Sequence, residues 1–409
     1  MMLVFADIVL LLVFGSFFLY LAILSVLALL YRPATDFHAI RQRRFAVVVP
    51  AHDEHPVIAK TLRSLFAVNY PRDLFDVVVV ADNCSDDTAD IARSSGATVY
   101  EREETALTGK GQALRWCFEI LMNSGKGYDA FVVVDADSEV SGNMLRVMNR
   151  YLEDGARVLQ ISDVVKARPG LWNPEIIRLA FTLYNVVRPM GRKVIGCPAG
   201  LRGNGMCFAA ETLRQVPWGA YSLTEDLEYG LMLLLHGTDV VLAPEATVSA
   251  AMPAAQKHSQ SQRARWEMGR IPVIRKYAPL LLREGVRRRS FKILDALIDL
   301  VMPPVVNMLV VVLLMLAAHV AFELNREPTP VLWMWCAVAM LAEVHLLAGM
   351  IAAGADRDLY KAIVYVPLYA AWKMALYVKL LFRGKPREWI RTTREHQAGQ
   401  MGVLGKRQT

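Results

Sequence analysis

Long apolar segments lie at both ends of the chain, and a segment of mixed polarity separates them. Val4 to Leu30 is long enough to span a hydrocarbon core ~30 Å thick, and Val305 to Phe322 and Val331 to Ala353 are two further candidate spans. Leu359 to Phe382 is another apolar segment, but three lysines interrupt it. The pattern therefore predicts a middle region that resembles a soluble domain, between two membrane-associated ends.

Basic residues border the predicted spans and set their predicted orientation. Arg41, Arg43 and Arg44 follow the first span, and Arg287 to Arg289 precede the second. Because cytoplasmic loops are enriched in Lys and Arg, the middle region is expected in the cytoplasm and the chain in the inner (cell) membrane. Crossing by all three C-terminal segments would put the basic tail outside. Two crossings plus one helix lying in the interface are therefore favoured.

These patterns divide the chain into five predicted parts. The first span lacks basic residues before it and a small-residue cleavage site after it, so a retained anchor is expected rather than a signal peptide. Apolar residues mixed with arginines and lysines precede Pro303, as in interfacial helices. The parts are an anchor over 1–31, a cytoplasmic domain over 32–270, interfacial helices over 271–304, a membrane region over 305–382 and a basic tail over 383–409.

The middle region alternates between predicted strands and predicted helices. Short β-branched runs indicate the strands, and longer stretches between them indicate the helices. Strands are predicted at Phe45–Val49, Asp76–Val80, Thr98–Tyr100, Phe131–Val134 and Val158–Ile161, and helices at His55–Ala67, Asp87–Ser94 and Gln112–Asn123. This alternation predicts an α/β fold with a largely parallel sheet and with ligands beyond the carboxyl ends of its strands.

Composition and charge agree with a membrane protein. Apolar residues make up 54% of the 409 residues, more than is usual in a soluble globular protein. The basic residues behind the net charge of +7 cluster at the predicted membrane borders. No nucleic-acid-binding motif accompanies them, so nucleic acid is not an expected partner. The five cysteines are odd in number and lack metal-ligand spacing, which implies neither a disulfide framework nor a zinc site and suits a reducing cytosol.

Acidic residues follow the first two predicted strands. Asp53 and Glu54 come after the apolar run that ends in Pro50, where acidic residues favour the start of a helix. Asp82 and Asn83 follow the second strand. These residues either cap the next helix or, in the case of Asp82, accept a hydrogen bond from a uracil or ribose. Both alternatives stay open on the sequence.

Two further motifs supply charges that suit a diphosphate. In TGKGQAL, Lys110 offers a cation to phosphate between Gly109 and Gly111, although the spacing does not match a P-loop. In FVVVDADSEV, Asp135 and Asp137 lie two residues apart at the end of an apolar strand, so both carboxylates can project to one side. That arrangement suits Mg²⁺ or Mn²⁺, which would balance charge on a leaving diphosphate. A helix cap is the alternative.

Glycines and acids gather farther along the chain. In GCPAGLRGNGMCF, the glycines around Asn204, among them Gly203, indicate tight turns or backbone brought close to a ligand. In SLTEDLEYG, Thr224 is a candidate helix cap. Asp226, with Glu225 beside it, is the candidate general base, a carboxylate that takes a proton from an acceptor hydroxyl as the hydroxyl attacks an anomeric carbon.

The stretch QRARW, Gln262 to Trp266, lies just before the segment predicted to be interfacial. An indole offers a flat apolar face on which a sugar can stack, and a guanidinium reaches phosphate oxygens through paired donors. A basic and aromatic membrane anchor is the alternative, but it explains Arg263 and gives Gln262 no role.

The motifs PAHDE, ADNCSDD, GKG, DAD, RGNG, TED and QRARW follow one another over about residues 44–270. In this order they resemble the membrane-embedded branch of the family 2 glycosyltransferases, which contains cellulose, chitin and hyaluronan synthases and ceramide glucosyltransferase. The resemblance implies a GT-A fold, a nucleotide-sugar donor that is most often UDP-linked, a divalent cation, and inversion at the anomeric carbon. The enzyme class it implies is a hexosyl- or N-acetylhexosaminyltransferase.

The resemblance also implies roles for individual residues. The expected donor-binding residues are Asp82, Lys110, Glu54, Asp135, Gln262 and Arg265. The expected acceptor-binding residues are Trp266, Gly203 and Asn204. The expected metal ligands are Asp135 and Asp137, and the expected catalytic residues are Asp226 and Glu225. Asp53, where many relatives have Asn, and ADNCSDD, which replaces D-D-G-S, depart from the family pattern. These departures leave the base and the sugar of the donor open.

The sequence therefore predicts an inverting, membrane-bound glycosyltransferase that extends a β-linked polysaccharide. The alternative is transfer of a single sugar to a lipid acceptor, which the sequence does not separate from the first because the family has Q-x-x-R-W in both. Asp135, Asp137 and Asp226 argue against an inactive transporter or sugar-binding scaffold. The expected partners are the donor, a glycan or lipid acceptor and membrane lipids. Glu343 and His345, within a predicted span, face either a channel or another helix.

Overall fold

The computed structural model describes residues 2–37, 39–166, 172–250, 256–324, 329–367 and 369–370, with side chains except at 2–4, 172–173 and 256–267. The described residues form two units, each built from separate parts of the chain. The helical unit takes the described residues of 2–32, 172–196 and 298–370, and the sheet unit takes those of 33–166 and 197–297. Residues 172–196 thus group with the long apolar helices, whereas residues 271–297 group with the sheet.

The sheet unit is built on eight strands in the order β3-β2-β1-β4-β7-β6-β8-β5. The strands are β1 Phe45–Ala51, β2 Phe75–Asp82, β3 Thr98–Arg102, β4 Ala130–Val133, β5 Ser138–Val140, β6 Val158–Val165, β7 Met206–Ala209 and β8 Val240–Ala250. Parallel pairing joins β1 to β2 and β4, β2 to β3, and β6 to β8. Strand β7 runs antiparallel to both β4 and β6. The predicted α/β fold is confirmed, and the sheet is mixed.

The helices of the described residues lie before, between and after the strands, and those between the strands agree with the alternating pattern. They are α1 Met2–Ala28, α2 Ile58–Phe66, α3 Thr88–Ser94, α4 Lys110–Met122, α5 Met144–Glu153, α6 Trp172–Phe181, α7 Arg188–Val194, α8 Ala210–Gln215, α9 Glu225–Leu235, α10 Gln256–Arg287, α11 Phe291–Val301, α12 Val305–Glu323, α13 Pro330–Ala352 and α14 Arg357–Ala362. A π-helical turn over Thr182–Val187 joins α6 to α7. Helix α2 buries Ile58, Leu62 and Leu65, which lie on one helical face at spacings of four and three.

The acidic residues after β1 and β2 do not start the next helices, contrary to the capping interpretation. Asp53 adopts a left-handed φ of 53°, and α2 begins only at Ile58 without a side-chain cap. The carboxylate of Asp53 instead accepts a hydrogen bond from the backbone N–H of Ser85 at 2.6 Å. Asn83 is also left-handed, with φ 50°, and α3 begins later in the chain. Both loops therefore turn sharply and hold each other at the carboxyl edge of the sheet.

The core of the sheet unit covers both faces of the central strands. On one face α2 and α5 pack on β1, β2 and β4, where Val47, Val79 and Val132 are fully buried. On the other face Phe118 of α4 makes edge contacts with Phe131 and with Trp218. Because both faces are closed, the strand ends are where a ligand can reach the sheet.

The helical unit contains the predicted spans. Among the described residues, three helical segments are long and apolar enough to cross a membrane, Phe5–Ala28, Val305–Glu323 and Pro330–Ala352. These match three of the predicted segments. Of the fourth candidate, Leu359–Phe382, the structure describes only the first part, which begins within α14, and the remainder lies outside the described residues.

Polar groups within the long helices bond to other helices of the same unit. Asp7 of α1 accepts a hydrogen bond from Trp335 Nε1 at 2.9 Å, and its other oxygen lies 3.0 Å from Nε2 of His319. His345 of α13 is buried, with Nδ1 2.7 Å from Oγ of Ser25. Of the two alternatives for His345, the structure shows contact with another helix, which removes the cost of exposing its imidazole to lipid.

Candidate active site

The turn that follows β4 carries the predicted Asp pair, and it is fixed by a residue from the glycine-rich loop. The backbone N–H of Asp135 donates to Oδ1 of Asn204 at 3.0 Å, and Nδ2 of Asn204 donates to Oγ of Ser138 at 2.8 Å. A further backbone bond from Ser138 to the carbonyl of Asp135 closes the turn at 3.1 Å. Since both ends of the buried Asn204 amide are engaged, its geometry indicates positioning of the turn, and the predicted acceptor contact stays a prediction.

Gln160 holds the glycine-rich loop from the neighbouring strand. Its side chain is fully buried in β6, where Nε2 donates to the carbonyl of Asn204 at 2.7 Å and Oε1 accepts from the backbone N–H of Arg202 at 2.9 Å. Gln160 was not among the predicted site residues. The available signal was a polar amide within the predicted strand Val158–Ile161, whose other residues are apolar, because a buried amide requires partners.

Lys110, the first residue of α4, brings the separate motifs together. Its ammonium lies 2.5 Å from Oδ1 of Asp135, 2.5 Å from the carbonyl of Gly203 and 3.9 Å from Oε1 of Glu225. Burial works to lower the pKa of Lys110, but the carboxylates of Asp135, Glu225 and Asp226 outweigh it and raise this pKa above its usual value. The side chain is therefore a fixed cation at neutral pH.

Glu225 and Asp226 begin α9 and face this cation. Burial raises the pKa of Glu225 to about 7, Lys110 opposes this change, and Asp226 adds to it. Burial also raises the pKa of Asp226, against the backbone N–H of Leu227 and the cations Lys110 and Arg202. A carboxylate whose pKa lies nearer to neutral pH is a better proton acceptor for a hydroxyl group.

Asp163 is a further acid in the pocket and was not among the predicted site residues. It lies buried on β6, three residues beyond Gln160. Burial raises its pKa well above the usual range, and Asp135 and Asp137 raise it further by repulsion. Asp226 adds to the same repulsion. Asp135, Asp137 and Asp226, predicted from distant parts of the chain, therefore share one pocket with Asp163.

Asp82 is the last residue of β2 and Glu54 follows β1, so both lie at the same edge of the sheet. The carboxylate of Asp82 forms a buried ion pair with Arg102 at 2.5 Å, and Arg102 also donates to the carbonyl of Leu107 at 2.5 Å. Arg102 was not among the predicted residues, because nothing in its own strand marks it. The backbone N–H of Glu54 donates to Oγ1 of Thr88 at 2.8 Å. The predicted donor contacts of both acids stay predictions.

Two other acidic groups gather in the loops after β1 and β2. Among the described residues, sets of three potential metal-ligand atoms within 4.8 Å of one another are formed by Asp53, Cys84 and Asp86 and by His55, Asp86 and Asp87. Burial raises the pKa of Cys84 to about 11, so its thiol is protonated and is a poor metal ligand at neutral pH. Asp86 accepts hydrogen bonds from Thr88 and from the backbone N–H of His55. These contacts fix the two loops to each other.

Helix α10, which carries QRARW, packs against the start of α9. A Cβ built on Gly269 would lie 3.0 Å from the side chains of Leu223 and Thr224, so the two segments are in close contact. Thr224 does not cap α9, because its hydroxyl donates to the carbonyl of Gly269 at 3.2 Å. The side chains of Gln262, Arg265 and Trp266 lie outside the described residues, and their predicted roles stay predictions.

The raised pKa of Glu225 predicts a pH-dependent gain in stability for Glu225→Gln. A folded-state pKa of about 7 means that the folded protein binds this proton more tightly than the unfolded chain, so stability falls as pH rises from about 4.5 to about 7. Removing the ionisable group should raise Tm at pH 8, by roughly 1 °C for each kcal/mol gained in a chain of 409 residues. The gain should disappear at pH 4, measured by thermal unfolding in detergent.

Glu228, on the same helix, supplies a matched control of opposite sign. Its pKa is lowered because hydrogen bonds from Lys276 and Ser222 outweigh its burial. Glu228→Gln should therefore lower Tm at pH 8, and the loss should shrink as the pH falls toward 4. Equal changes in Tm at both pH values for Glu225→Gln would contradict the assignment.

Sequence comparison relates this chain to known glycosyltransferases. The profile of the glycosyltransferase-like family 2 matches residues 42–269. The chain is 25% identical over 253 residues to the beta-monoglucosyldiacylglycerol synthase of Trichormus variabilis, covering 60% of this chain and 53% of the relative. It is 28% identical over 243 residues to the protein of the same name from Synechocystis, covering 57% and 49%. The chain thus spans about half the length of the curated relatives it matches.

Among solved structures, the fold is similar to that of the mannosyltransferase PcManGT from Pyrobaculum calidifontis in complex with GDP-Man and Mn²⁺. The TM-score is 0.53 at 19% identity, over 93% of this chain and 99% of that chain. This likeness concerns the fold, and it agrees with the mixed α/β sheet of the GT-A type. The family profile covers more than half of the residues, from before β1 into α10, and the chain therefore belongs to the glycosyltransferase-like family 2.

Proposed function

We propose that this protein transfers one hexose from a nucleotide-sugar donor to a diacylglycerol-type lipid at the cytoplasmic membrane surface. The observation that carries the proposal is the pocket in which Lys110 meets Asp135, Glu225 and Asp226 at the strand ends. The curated relatives support the acceptor, because their names describe synthesis of a monoglucosyldiacylglycerol. The three helices of the described residues that are apolar enough to cross a membrane agree with a lipid acceptor. Polymer extension, the first expectation from the sequence, has no such support among these relatives.

In the proposed reaction, the hydroxyl oxygen of the lipid attacks the anomeric carbon of the donor sugar. A new carbon–oxygen bond forms as the bond to the diphosphate breaks, the nucleoside diphosphate leaves with the bonding pair, and the hydroxyl proton passes to Asp226. Lys110 holds Asp135 and the carbonyl of Gly203 in place beside Asp226. Attack from the face opposite the leaving group inverts the anomeric carbon.

The residues of the pocket fit a divalent cation. Asp135, Asp137 and Asp163 lie close enough for the first two to raise the pKa of the third, so negative charge is in excess there. Carboxylate oxygens are the ligands that Mg²⁺ and Mn²⁺ prefer. We propose Asp135 and Asp137 as the residues that hold the cation, which when bound would offset charge on the leaving diphosphate.

A thermal-shift experiment tests the cation site separately from activity. Mn²⁺ should raise the Tm of the detergent-solubilised protein, since a ligand at 100 times its Kd stabilises the folded state by about 2.7 kcal/mol. Asp137→Asn should abolish most of the shift. Asp86→Asn, in the acidic loops after β1 and β2, should retain it. If Asp86→Asn lost the shift and Asp137→Asn retained it, the cation site would be assigned to those loops instead.

The close approach of Gly203 to the proposed base predicts a loss of turnover in Gly203→Ala. A Cβ at this position would lie 3.2 Å from Oδ2 of Asp226, so this carboxylate must shift by a few tenths of an ångström. Since a misplacement of about 1 Å costs about 10²-fold in rate, we expect turnover to fall by about a few-fold. Gly200→Ala is the matched control, because its φ of +74° is similar to the +83° of Gly203, while the nearest atom, Nη1 of Arg202, lies 4.0 Å away.

Both variants place alanine in a left-handed conformation, at a cost of about 1–2 kcal/mol each. Tm should therefore fall by similar amounts in the two, and only Gly203→Ala should lose turnover per folded molecule. Similar turnover in the two variants would remove the evidence that Asp226 must stay in this position.

Product analysis tests the proposed function directly. The purified protein, in detergent with diacylglycerol and a panel of radiolabelled UDP- and GDP-sugars, should form a lipid carrying one sugar, seen as one band by thin-layer chromatography. Asp226→Asn should lower turnover at least ~10²-fold, whereas the exposed Asp90→Asn should not. A ladder of long oligomers would favour polymer extension, and unchanged turnover in Asp226→Asn would reject the assigned base.

A further inference from the structure

The edge of the sheet opposite the active site contains a cleft of about 330 Å³. It opens where β1, β4 and β6 begin and where β7 ends, so the length of β4 separates it from Asp135. Its volume is at the lower end of the range for small-molecule pockets. Neither the family nor the proposed reaction assigns a ligand to this end of the sheet.

Guanidinium groups dominate the charged lining of the cleft. Arg41, Arg43, Arg157 and Arg214 line it together with two acids, Asp129 and Glu211. The ionised side chains therefore carry four positive and two negative charges, a difference of +2. A cavity with this excess attracts a dianion.

The two acids do not neutralise all of these cations. Arg41 Nη2 pairs with Oδ1 of Asp129 at 2.7 Å, while Oδ2 of Asp129 accepts from the backbone N–H of Arg44 at 2.8 Å. Within the part of the chain that the structure describes, neither Arg157 nor Arg214 forms an ion pair with a carboxylate. Two guanidiniums of the lining are thus available to a ligand.

Arg43 also lines the cleft, and part of its guanidinium group lacks a partner. Its backbone N–H donates to Oδ1 of Asn149 at 3.1 Å, and its Nη2 donates to the carbonyl of Leu152 at 3.3 Å. The other terminal nitrogen, Nη1, is buried and has no hydrogen-bond partner among the described residues. A buried charged donor without an acceptor is costly. Because Arg43 lines the cleft, a small movement of its side chain would let an oxyanion there supply the acceptor.

We propose that this cleft binds a phosphate monoester or diester group, through Arg43, Arg157 and Arg214. A guanidinium group binds phosphate oxygens through paired donors. The excess positive charge of the lining is equal in size and opposite in sign to the charge of a phosphate monoester dianion. The cleft is larger than a phosphate alone, so part of the attached organic group also fits. The phosphate comes either from a soluble metabolite or from a phospholipid headgroup, and the two sources share this chemistry.

The test uses the full chain in neutral detergent, with inorganic phosphate and glycerol 3-phosphate as soluble probes at constant ionic strength. Both probes should raise Tm. Arg157→Gln/Arg214→Gln should weaken their apparent affinity at least about tenfold, as expected for losing hydrogen bonds to a charged group. Arg63→Gln/Arg283→Gln is the matched control, because it removes the same charge from exposed positions outside the cleft and should bind as the unaltered protein does.

A second arm measures binding of the same proteins to vesicles of phosphatidylglycerol and of phosphatidylcholine. Dependence on Arg157 and Arg214 only with phosphatidylglycerol assigns the headgroup as the source, and dependence only with the soluble probes assigns a metabolite. Phosphate bound at Lys110 would survive in the cleft variant, because that variant leaves the active site intact. Equal binding by the cleft variant and the control in both arms would overturn the proposal, whatever the transferase assay shows.

Discussion

Attraction between the ammonium of Lys110 and the surrounding carboxylates is the interaction on which the active-site pocket depends. Two unit charges ~4 Å apart interact by about 4 kcal/mol near a protein surface, so the carboxylates in the turn after β4 and at the start of α9 would repel each other strongly without a cation between them. Lys110 contacts Asp135 directly and lies near Glu225. Because it also binds the carbonyl of Gly203, the same group ties the glycine-rich loop to the pocket. One side chain therefore joins four sequence motifs.

The reversed direction of β7 makes that arrangement possible. A strand running antiparallel to β4 must enter the sheet at the edge where β4 ends, so the residues before β7 lie beside those after β4. Asn204 and Asp135 become neighbours for this reason, and Gln160 of β6 fixes the loop from the other side. A fully parallel sheet would have placed the glycine-rich loop at the opposite edge. Topology, more than any single motif, therefore brings the acids together.

The sequence predicted those features that depend on local pattern. Apolar runs located the first four strands to within a few residues, and the motifs at their ends lie at the carboxyl edge as expected. The site residues that the sequence did not indicate are those whose roles arise from contacts with residues distant in sequence. Arg102 pairs with Asp82 across two adjacent strands, and the pKa of Asp163 is raised by acids in the turn after β4 and at the start of α9. The caps expected from Asp53 and Thr224 failed because other partners took those side chains.

The two ends of the sheet have opposite charge. They therefore favour different phosphate ligands, one with a bound cation and one without. At the carboxyl edge, carboxylates outnumber Lys110, so a diphosphate would enter most readily with a divalent cation that offsets both charges. At the other edge, guanidiniums exceed carboxylates, so a phosphate would bind without a cation.

The four residues of β4 separate the edges by roughly 13 Å, beyond the Debye length of about 8 Å at physiological salt. Direct charge coupling through solvent is therefore weak. Asp129 lies just before β4 and Asp135 lies just after it. A ligand in the cleft would therefore affect the active site chiefly by moving β4 itself.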